Sequence, residues 1–207
     1  MKLTIFGASS ATGRLLVEKA LAEGHDVTAF VRDPAKLSTA HERLTVTAGD
    51  ALNSAQVEAA VAGRDAVLSA LGPKGKPMVM AAESTRHILG AMEKHGVRRL
   101  VVVSVAGVPV PQDQRGFDLI GALIQLALKD VFADRENQLA ALEASAVDWV
   151  AVRVPRLTDE AGKGSARAFF GKVSPRFSIT RADLADFMLK QLTDDRWLRQ
   201  APILSND

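Results

Sequence analysis

Two glycines, Gly7 and Gly13, flank the serines of the stretch GASSATG near the start of the chain. A β-branched run precedes this stretch, and apolar residues at helical spacing follow it. A tight turn from a strand into a helix collects free backbone amides and the positive end of the helix at one point, which favours an anion. Gly7 permits the turn, and Gly13 permits a close approach to the strand or to a ligand. Ser10 stands where the usual pattern has its middle glycine, and its hydroxyl is a candidate phosphate ligand. The stretch predicts dinucleotide binding, although structural turns also favour Gly and Ser.

Arg32 follows the second β-branched run, roughly 20 residues past the turn, where an acid would bind a ribose hydroxyl of NAD. Strand alternation predicts that Arg32 and Asp33 point to opposite sides. An Arg32 side chain on the ribose side favours NADP over NAD, because a guanidinium binds a 2′-phosphate in fork geometry. Alternatively, the pair forms an exposed turn leading to Pro34, and a shift of one residue exchanges their roles. Arg14 is a candidate second phosphate ligand.

Two residues after the third predicted strand are candidates for contact with an adenine ring. Asp50 directly follows Gly49, and its carboxylate is an acceptor for the adenine amino group. Leu52 would supply an apolar contact to the ring. The alternative for Asp50 is a helix cap or a loop acid with no ligand.

Short β-branched runs alternate with stretches of helical spacing along the chain, a pattern that predicts parallel strands joined by crossover helices. The predicted strands are residues 2–6, 26–31, 44–47, 66–70, 99–104 and 149–152. The predicted helices are residues 12–22, 54–61, 78–95 and a region at 117–144, with Ser54 as the cap of the second. The expected fold is α/β, a Rossmann-like doubly wound parallel sheet of order 3-2-1-4-5-6. Residues 1–207 form one domain in this interpretation, and residues 165–207 form a small C-terminal cap with a helix at 181–192 and an extended segment at 201–204.

The reactive end of a ligand in such a sheet lies beyond the carboxyl ends of the strands. Ser104 ends the fifth predicted strand, and it is either a hydrogen-bond donor to substrate or nicotinamide or a polar strand end. Arg153 and Arg156 are candidates for a carboxylate or a pyrophosphate, or for a salt bridge with Asp159 or Asp183. The loop at residues 71–77 carries two lysines, Lys74 and Lys76, which either guide an acidic substrate or remain solvated. The apolar stretch at 121–133 is expected to cover the sheet.

Composition limits the possible functions. The chain has 207 residues, 47% of them hydrophobic, no cysteine, and 26 Lys and Arg against 24 Asp and Glu. Cysteine thiolates are therefore absent as nucleophiles or metal ligands, and no basic run suggests nucleic acid. No metal site is expected from the four histidines, and the lack of a long apolar run predicts no membrane span. We expect a cytoplasmic protein that is monomeric or weakly dimeric and acts on a small molecule.

Seven segments together resemble atypical short-chain dehydrogenase/reductases of the NAD(P)-binding, NmrA-like type, most of all those similar to flavin reductase and biliverdin reductase B. The segments are GASSATGRLL, FVRDPAKL, AGDALN, LSALGP, VVVSVAG, VAVRVPRLTD and ITRADLADFML. Within the first, the residues that match the family turn are Gly7, Ala8, Ser9, Ala11, Thr12 and Gly13. The resemblance implies that Arg32 contacts the 2′-phosphate and that Asp50 and Leu52 border the adenine. It further implies contacts below the ribose from Ala70, Leu71 and Gly72, and contacts near the nicotinamide from Ser104, Arg153 and Pro155.

The wider superfamily uses a tyrosine as proton donor, and this chain contains no tyrosine. Flavins, quinones and open-chain tetrapyrroles suit a site without that donor, because conjugation delocalises the charge that hydride addition creates. The sequence therefore predicts an NADPH-dependent reductase of a planar conjugated acceptor, with Ser104 as the catalytic candidate. The alternatives are a non-catalytic NADP(H) sensor of the NmrA-like type and, disfavoured by the missing tyrosine, a sugar-nucleotide epimerase.

Overall fold

Parallel strands and crossover helices alternate along the chain in a computed structural model that describes residues 1–72, 80–113, 119–172, 174 and 176–206. The strands are β1 Lys2–Phe6, β2 Asp26–Val31, β3 Leu44–Ala48, β4 Ala66–Ser69, β5 Arg99–Val105, β6 Asp148–Val154, β7 Arg156–Thr158, β8 Arg167–Phe169, β9 Ser178–Thr180 and β10 Ile203–Ser205. The helices are α1 Ala11–Ala22, α2 Ser54–Val61, α3 Ala81–His95, α4 Leu119–Ala127, α5 Lys129–Ala144 and α6 Arg181–Lys190. A 3-10 turn lies at Pro34–Lys36.

The main sheet has the order β3-β2-β1-β4-β5-β6-β10-β8 in the described part of the chain. The pairings from β3 to β10 are parallel, and β8 is antiparallel to β10. The first six strands therefore confirm the predicted Rossmann-like order 3-2-1-4-5-6. Residues 165–207, expected beyond the last central strand, supply β8 and β10 at that edge, while β7 and β9 form a separate parallel pair.

Side chains that alternate along the buried strands contribute to two hydrophobic cores, one on each face of the sheet. Leu3 and Ile5 of β1 pack on the face that α1 and α6 cover, whereas Phe6 belongs to the core on the face of α2, α3 and α5. Helices thus cover both faces of the sheet, as parallel strands require. No helix in the described ranges is long and apolar enough to cross a membrane.

Two local expectations from the sequence are wrong, namely the cap of α2 and the burial of the whole apolar stretch at 121–133. Asn53, not Ser54, caps α2, because the Asn53 side chain accepts from the amide of Gln56. The region at 117–144 divides into α4 and α5, with Leu128 between them. Residues 123–130 are exposed, so this part of the apolar stretch does not cover the sheet, and burial begins at Val131.

Candidate functional site

A cleft of about 870 Å³ runs along the carboxyl ends of the central strands. Its walls come from the segments that follow β1 to β6, which converge there because parallel strands end at one edge of the sheet. Twelve of the sixteen residues predicted for the site line this cleft: Gly7, Ser9, Ser10, Ala11, Thr12, Arg32, Asp50, Ala70, Leu71, Gly72, Ser104 and Pro155. The structure therefore brings together most of the predicted set from distant parts of the chain.

The turn after β1 has no room for side chains at its two glycines. Gly7 has a φ of +74°, and a β-carbon there would lie 2.8 Å from the carbonyl oxygen of Ala70. A β-carbon at Gly13 would lie 2.1 Å from the carbonyl oxygen of Gly7. Gly13 therefore permits a close approach between α1 and the turn itself. The backbone of the turn remains at the cleft wall.

Ser10 caps α1 and orients its first turn toward the cleft. The Ser10 hydroxyl oxygen accepts from the amide of Gly13 at 3.0 Å, and the amide of Ser10 donates to Gly7 at 2.9 Å. First-turn amides have no carbonyl partners within a helix, and Ala11 and Thr12 contribute such amides beside the cleft. These amides and the helix dipole form an anion-binding point at the middle of the cleft.

Arg32 and Asp33 both line the cleft. Strand β2 ends at Val31, so strand alternation does not extend to them. The Asp33 carboxylate accepts from the amide of Ala35 at 3.1 Å and forms an ion pair with Lys36 at 3.4 Å. Arg32 is exposed and forms no ion pair with any residue that the structure describes. At this end of the cleft Asp33 is engaged locally, and among the described residues Arg32 is the cation without an ion pair.

Asp50 lies beside the same end and already has a local role. One of its carboxylate oxygens accepts from the amide of Leu52 at 3.0 Å, and its own amide donates to Gln56 at 2.8 Å. Leu52 is 39% exposed and does not line the cleft. Contact of either residue with an adenine remains a prediction.

Ser104 lies in the wall at the other end of the cleft and is only 4% exposed. Its hydroxyl has no hydrogen-bond partner within the described ranges. The hydroxyl is therefore available to donate to, or accept from, a ligand in the cleft.

Arg135 of α5 also lines the cleft, although the sequence analysis did not select it. It is 3% exposed and donates to the carbonyl oxygens of Val103 at 3.0 Å and Leu71 at 2.9 Å, and to Gln138 at 3.0 Å. Burial lowers the pKa of Arg135 to about 10, and the neighbouring Asp134 offsets only part of that effect. Arg135 is therefore charged at neutral pH and ties the ends of β4 and β5 to α5.

The carboxylate of Asp134 serves the start of α3, which has no capping side chain of its own. It accepts from the amides of Met80, Ala81 and Ala82 at 3.2, 2.8 and 3.0 Å. A carboxylate at this position also interacts favourably with the helix dipole. Asp134 and Arg135 thus link α5 to α3 and to the strand ends at the cleft.

Arg153 does not line the cleft, and this corrects the expectation that it lies near the ligand. The side chain is 1% exposed, and its guanidinium donates to both carboxylate oxygens of Asp113 at 2.5 and 2.8 Å. The carbonyl oxygens of Val108 and Ala201 accept from the same group at 2.7 and 2.6 Å. Its donors are therefore committed to an internal ion pair, and the partner is neither Asp159 nor Asp183.

The other predicted residues either do not line the cleft or lie outside the residues that the structure describes. Gly13 lies behind the turn, and Arg14 is exposed on α1 and does not line the cleft. Lys74 and Lys76 lie outside the residues that the structure describes.

Arg181, the first residue of α6, also lines the cleft, as do Pro155 and Leu157. Its base is fixed by Thr180, which caps α6 by accepting from the amide of Asp183 at 3.0 Å. Burial alone would raise the pKa of Asp183, but donors from Lys163, Gly164, Asn206 and Thr180 lower it below its ordinary value. The Asp183 carboxylate is therefore charged at neutral pH, and it fixes the start of α6.

Residues 7–195 match a protein family described as NAD(P)H-binding. The chain belongs to this NAD(P)H-binding family. The match covers the phosphate turn, the five central strands β2 to β6 and α6, so it includes the residues that line the cleft. It agrees with the resemblance to atypical short-chain dehydrogenase/reductases.

One sequence relative and two solved structures are similar to this chain. The chain is 32% identical over 114 residues to cinnamoyl-CoA reductase 1 of Oryza sativa subsp. japonica, which covers 50% of the chain and 34% of that enzyme. The chain therefore spans about a third of that relative's length. The structure of ChuY, an anaerobillin reductase from Escherichia coli O157:H7, superposes with a TM-score of 0.82 at 20% identity and covers 100% of this chain and 97% of that one. A wide-type short-chain dehydrogenase/reductase from Veillonella parvula, solved in complex with NADP, has a TM-score of 0.81 at 17% identity and covers 99% of this chain and 94% of that one.

The geometry of the cleft fits a dinucleotide. The cavity volume of about 870 Å³ lies within the range of about 300–1,000 Å³ that is typical of ligand sites. A β-carbon at Gly7 would collide with the backbone at Ala70, and one at Gly13 would collide with the backbone of the turn, so the two glycines permit the shape that exposes amides to a pyrophosphate. The residues that would hold the cofactor are those of the turn, Arg32 and the segment Ala70 to Gly72.

Sequence reasoning missed Arg135 and Arg181 because both reach the cleft from helices far away in the chain. Neither belongs to a local motif of the turn type. The sequence signal available for Arg135 is its place in the buried set Asp134, Arg135 and Gln138 of α5, since charged residues on a buried helix face require partners.

Proposed function

We propose that the chain is an NADPH-dependent reductase that transfers a hydride to a planar conjugated acceptor such as a flavin, a quinone or a tetrapyrrole. The observation that carries this proposal is the composition of the cleft. The phosphate turn lies at the middle of the cleft, Arg32, which has no ion pair in the described part of the chain, lies toward one end, and the hydroxyl of Ser104 lies toward the other. The reductase activity of the rice relative, which is 32% identical over half of the chain, supports the same reaction class.

Preference for the phosphorylated cofactor rests on the different partners of Arg32 and Asp33. Asp33 is held by the amide of Ala35 and by Lys36, which reduces its capacity to accept from ribose hydroxyls. Arg32 keeps its donors, and a guanidinium binds a phosphate through two parallel hydrogen bonds. We therefore assign Arg32 to the 2′-phosphate of NADP, with Lys36 adding positive charge at the same end of the cleft.

Among the residues that the structure describes, the acceptor end has few groups for proton transfer. When bound, the reduced cofactor would supply the hydride, and the protein has to position the acceptor and exclude water. Ser104 would donate a hydrogen bond to the acceptor or to the nicotinamide amide from the strand end. Arg135 would hold the ends of β4 and β5 at the correct spacing and add a positive charge beside the developing anion. The chain has no tyrosine, so an acceptor that delocalises the new charge suits this site.

The test is oxidation of NADPH by the purified protein in the presence of riboflavin, a quinone and biliverdin, each compared with a protein-free control. Oxidation above the control rate with at least one acceptor is the expected result. Tight binding of NADPH without turnover for any acceptor contradicts the reductase assignment and favours a redox sensor instead.

A further inference from the structure

Charge is distributed unequally along the cleft. Its described acidic lining residues, Asp33 and Asp50, follow β2 and β3. The segments that follow β4 to β6, together with α5 and α6, contribute the cations Arg135 and Arg181 and, within the described ranges, no lining carboxylate. The acceptor half of the cleft is therefore positive.

The guanidinium of Arg181 is poorly paired. Its Nε lies 3.5 Å from a carboxylate oxygen of Asp159, whose side chain is 81% exposed, and ion pairs of this kind contribute little. Its Nη1 is buried and has no hydrogen-bond partner among the described residues. Because a buried guanidinium donor without an acceptor is unfavourable, an oxyanion of a ligand would be stabilised there.

A second cation in the cleft wall, Arg135, strengthens this interpretation. Arg135 is 3% exposed, and it donates to two carbonyl oxygens and to the side-chain oxygen of Gln138. It has no ion pair in the described part of the chain. Asp134, the nearest acid, is occupied by three amides of the α3 start. The positive charge of Arg135 is thus only partly compensated by the protein.

Arg181 belongs to the side of the cleft that follows β6. Thr158 of β7 pairs with Thr180, the residue before Arg181, and Asp159 forms the ion pair with Arg181. Strand β7 follows β6, whereas Arg32 follows β2, and four strand spacings, or about 19 Å, separate β2 from β6. The 2′-phosphate belongs near β2, and the position of Arg181 at the β6 side favours a partner beyond the nicotinamide.

We propose that Arg181 binds a carboxylate or phosphate group carried by the acceptor, so that the natural acceptor is an anionic conjugated molecule. This inference rests on the proposed reductase function and adds a charge requirement to its substrate. Pro155 and Leu157 provide apolar surface in the same cleft wall, and the fixed start of α6 holds Arg181 in position before the ligand arrives.

Two matched acceptor pairs test the requirement. FMN and riboflavin share one ring system and differ in a phosphate, and biliverdin and its dimethyl ester differ in two carboxylates. Equilibrium binding of each to the protein saturated with NADP gives the affinity, and turnover with NADPH gives KM and kcat. The expected result is a preference of about tenfold or more for the charged member of at least one pair. The pair that shows it identifies the group as a phosphate or a carboxylate.

Arg181→Gln should remove this preference while the neutral member binds as before, and Arg181→Lys should keep part of it. Arg196→Gln is the matched control, because Arg196 is exposed and does not line the cleft. The inference is overturned if the wild-type protein binds none of the four acceptors, or if it binds the charged and the neutral member of each pair equally. It is also overturned if the Arg181→Gln variant retains the preference. A preference in binding without NADPH oxidation would contradict only the reductase function, and oxidation without a preference would contradict only the role of Arg181.

Discussion

At the scale of single residues, the cleft separates side chains that serve the fold from side chains that remain available to a ligand. Arg153 and Arg32 show the difference. The Arg153 guanidinium is fully committed to Asp113 and two carbonyl oxygens, whereas Arg32 is exposed and has no ion pair in the described part of the chain. Both are arginines near strand ends in the sequence, and only the three-dimensional partners distinguish them.

Arg32→Gln should lower the affinity for NADPH by about 10- to 150-fold, because it removes a charged hydrogen bond to the 2′-phosphate. The affinity for NADH should change little, since NADH lacks that phosphate. Titration calorimetry with both cofactors measures the effect, and Arg86→Gln on the exposed side of α3 is the control. Equal losses for NADPH and NADH would contradict the assignment of Arg32.

Ser104→Ala should lower kcat by about 2- to 13-fold, the equivalent of one neutral hydrogen bond, and leave the Kd of NADPH nearly unchanged. Steady-state kinetics with an active acceptor and a separate NADPH titration check both values. The unchanged Kd also shows that the variant is folded. An unchanged kcat would leave Ser104 with a structural role as a polar strand end.

At the scale of elements, the helices are positioned by polar residues that reach across the sequence. The start of α3 has no capping side chain of its own, and Asp134 of α5 supplies the missing acceptor. Arg135 on the same helix holds the ends of β4 and β5. The two adjacent residues therefore connect three elements that form the acceptor end of the cleft.

Asp134→Ala should lower the free energy of unfolding by about 3 kcal/mol, because three amides lose a charged acceptor and two of them are buried. Urea denaturation measures the change, and Glu136→Ala on the exposed face of α5 is the matched control. A loss below about 0.5 kcal/mol, the range of ordinary surface substitutions, would mean that Asp134 is not the effective cap of α3.

The elements also show where sequence patterns are sufficient. The predicted bounds of β1, β2 and α2 coincide with the structure, because alternating or helical burial is a local property of those segments. The break at Leu128 and the exposure of residues 123–130 were not predicted, since apolar spacing does not reveal which surface a helix contacts. The N-terminal turn was found from sequence because its glycine requirement is local. Arg135, Arg181 and the Arg153–Asp113 pair depend on contacts over long sequence separations.

At the scale of the whole molecule, the C-terminal segment completes both the sheet and the cleft. Strand β10 extends the main sheet beside β6, and α6 packs with α1 on one face. The Asp183 carboxylate connects this region, because it accepts from Lys163, Gly164, Thr180 and Asn206. Those donors come from the loop after β7, the start of α6 and the end of β10.

The lowered pKa of Asp183 predicts a pH-dependent contribution to stability. Because the unfolded chain binds this proton more readily, the contribution is complete well above the ordinary pKa of 3.8 and is lost as the pH falls through the folded value. Asp183→Asn should lower the unfolding free energy by about 2 kcal/mol at pH 7, and the difference from wild type should shrink below about pH 4. Urea denaturation between pH 3 and pH 7 measures it, with the exposed Asp186→Asn as the control. A difference that is constant with pH would contradict the charged state of Asp183.

The central claim is that the cleft binds a phosphorylated dinucleotide, with the pyrophosphate at the N-terminal turn and the 2′-phosphate at Arg32. Calorimetric titration of the wild-type protein with NADPH and NADH tests it most directly. The account predicts one site per chain for NADPH and an affinity about 10- to 150-fold higher than for NADH. The absence of heat with both cofactors, together with the absence of any competing binding signal, would contradict it.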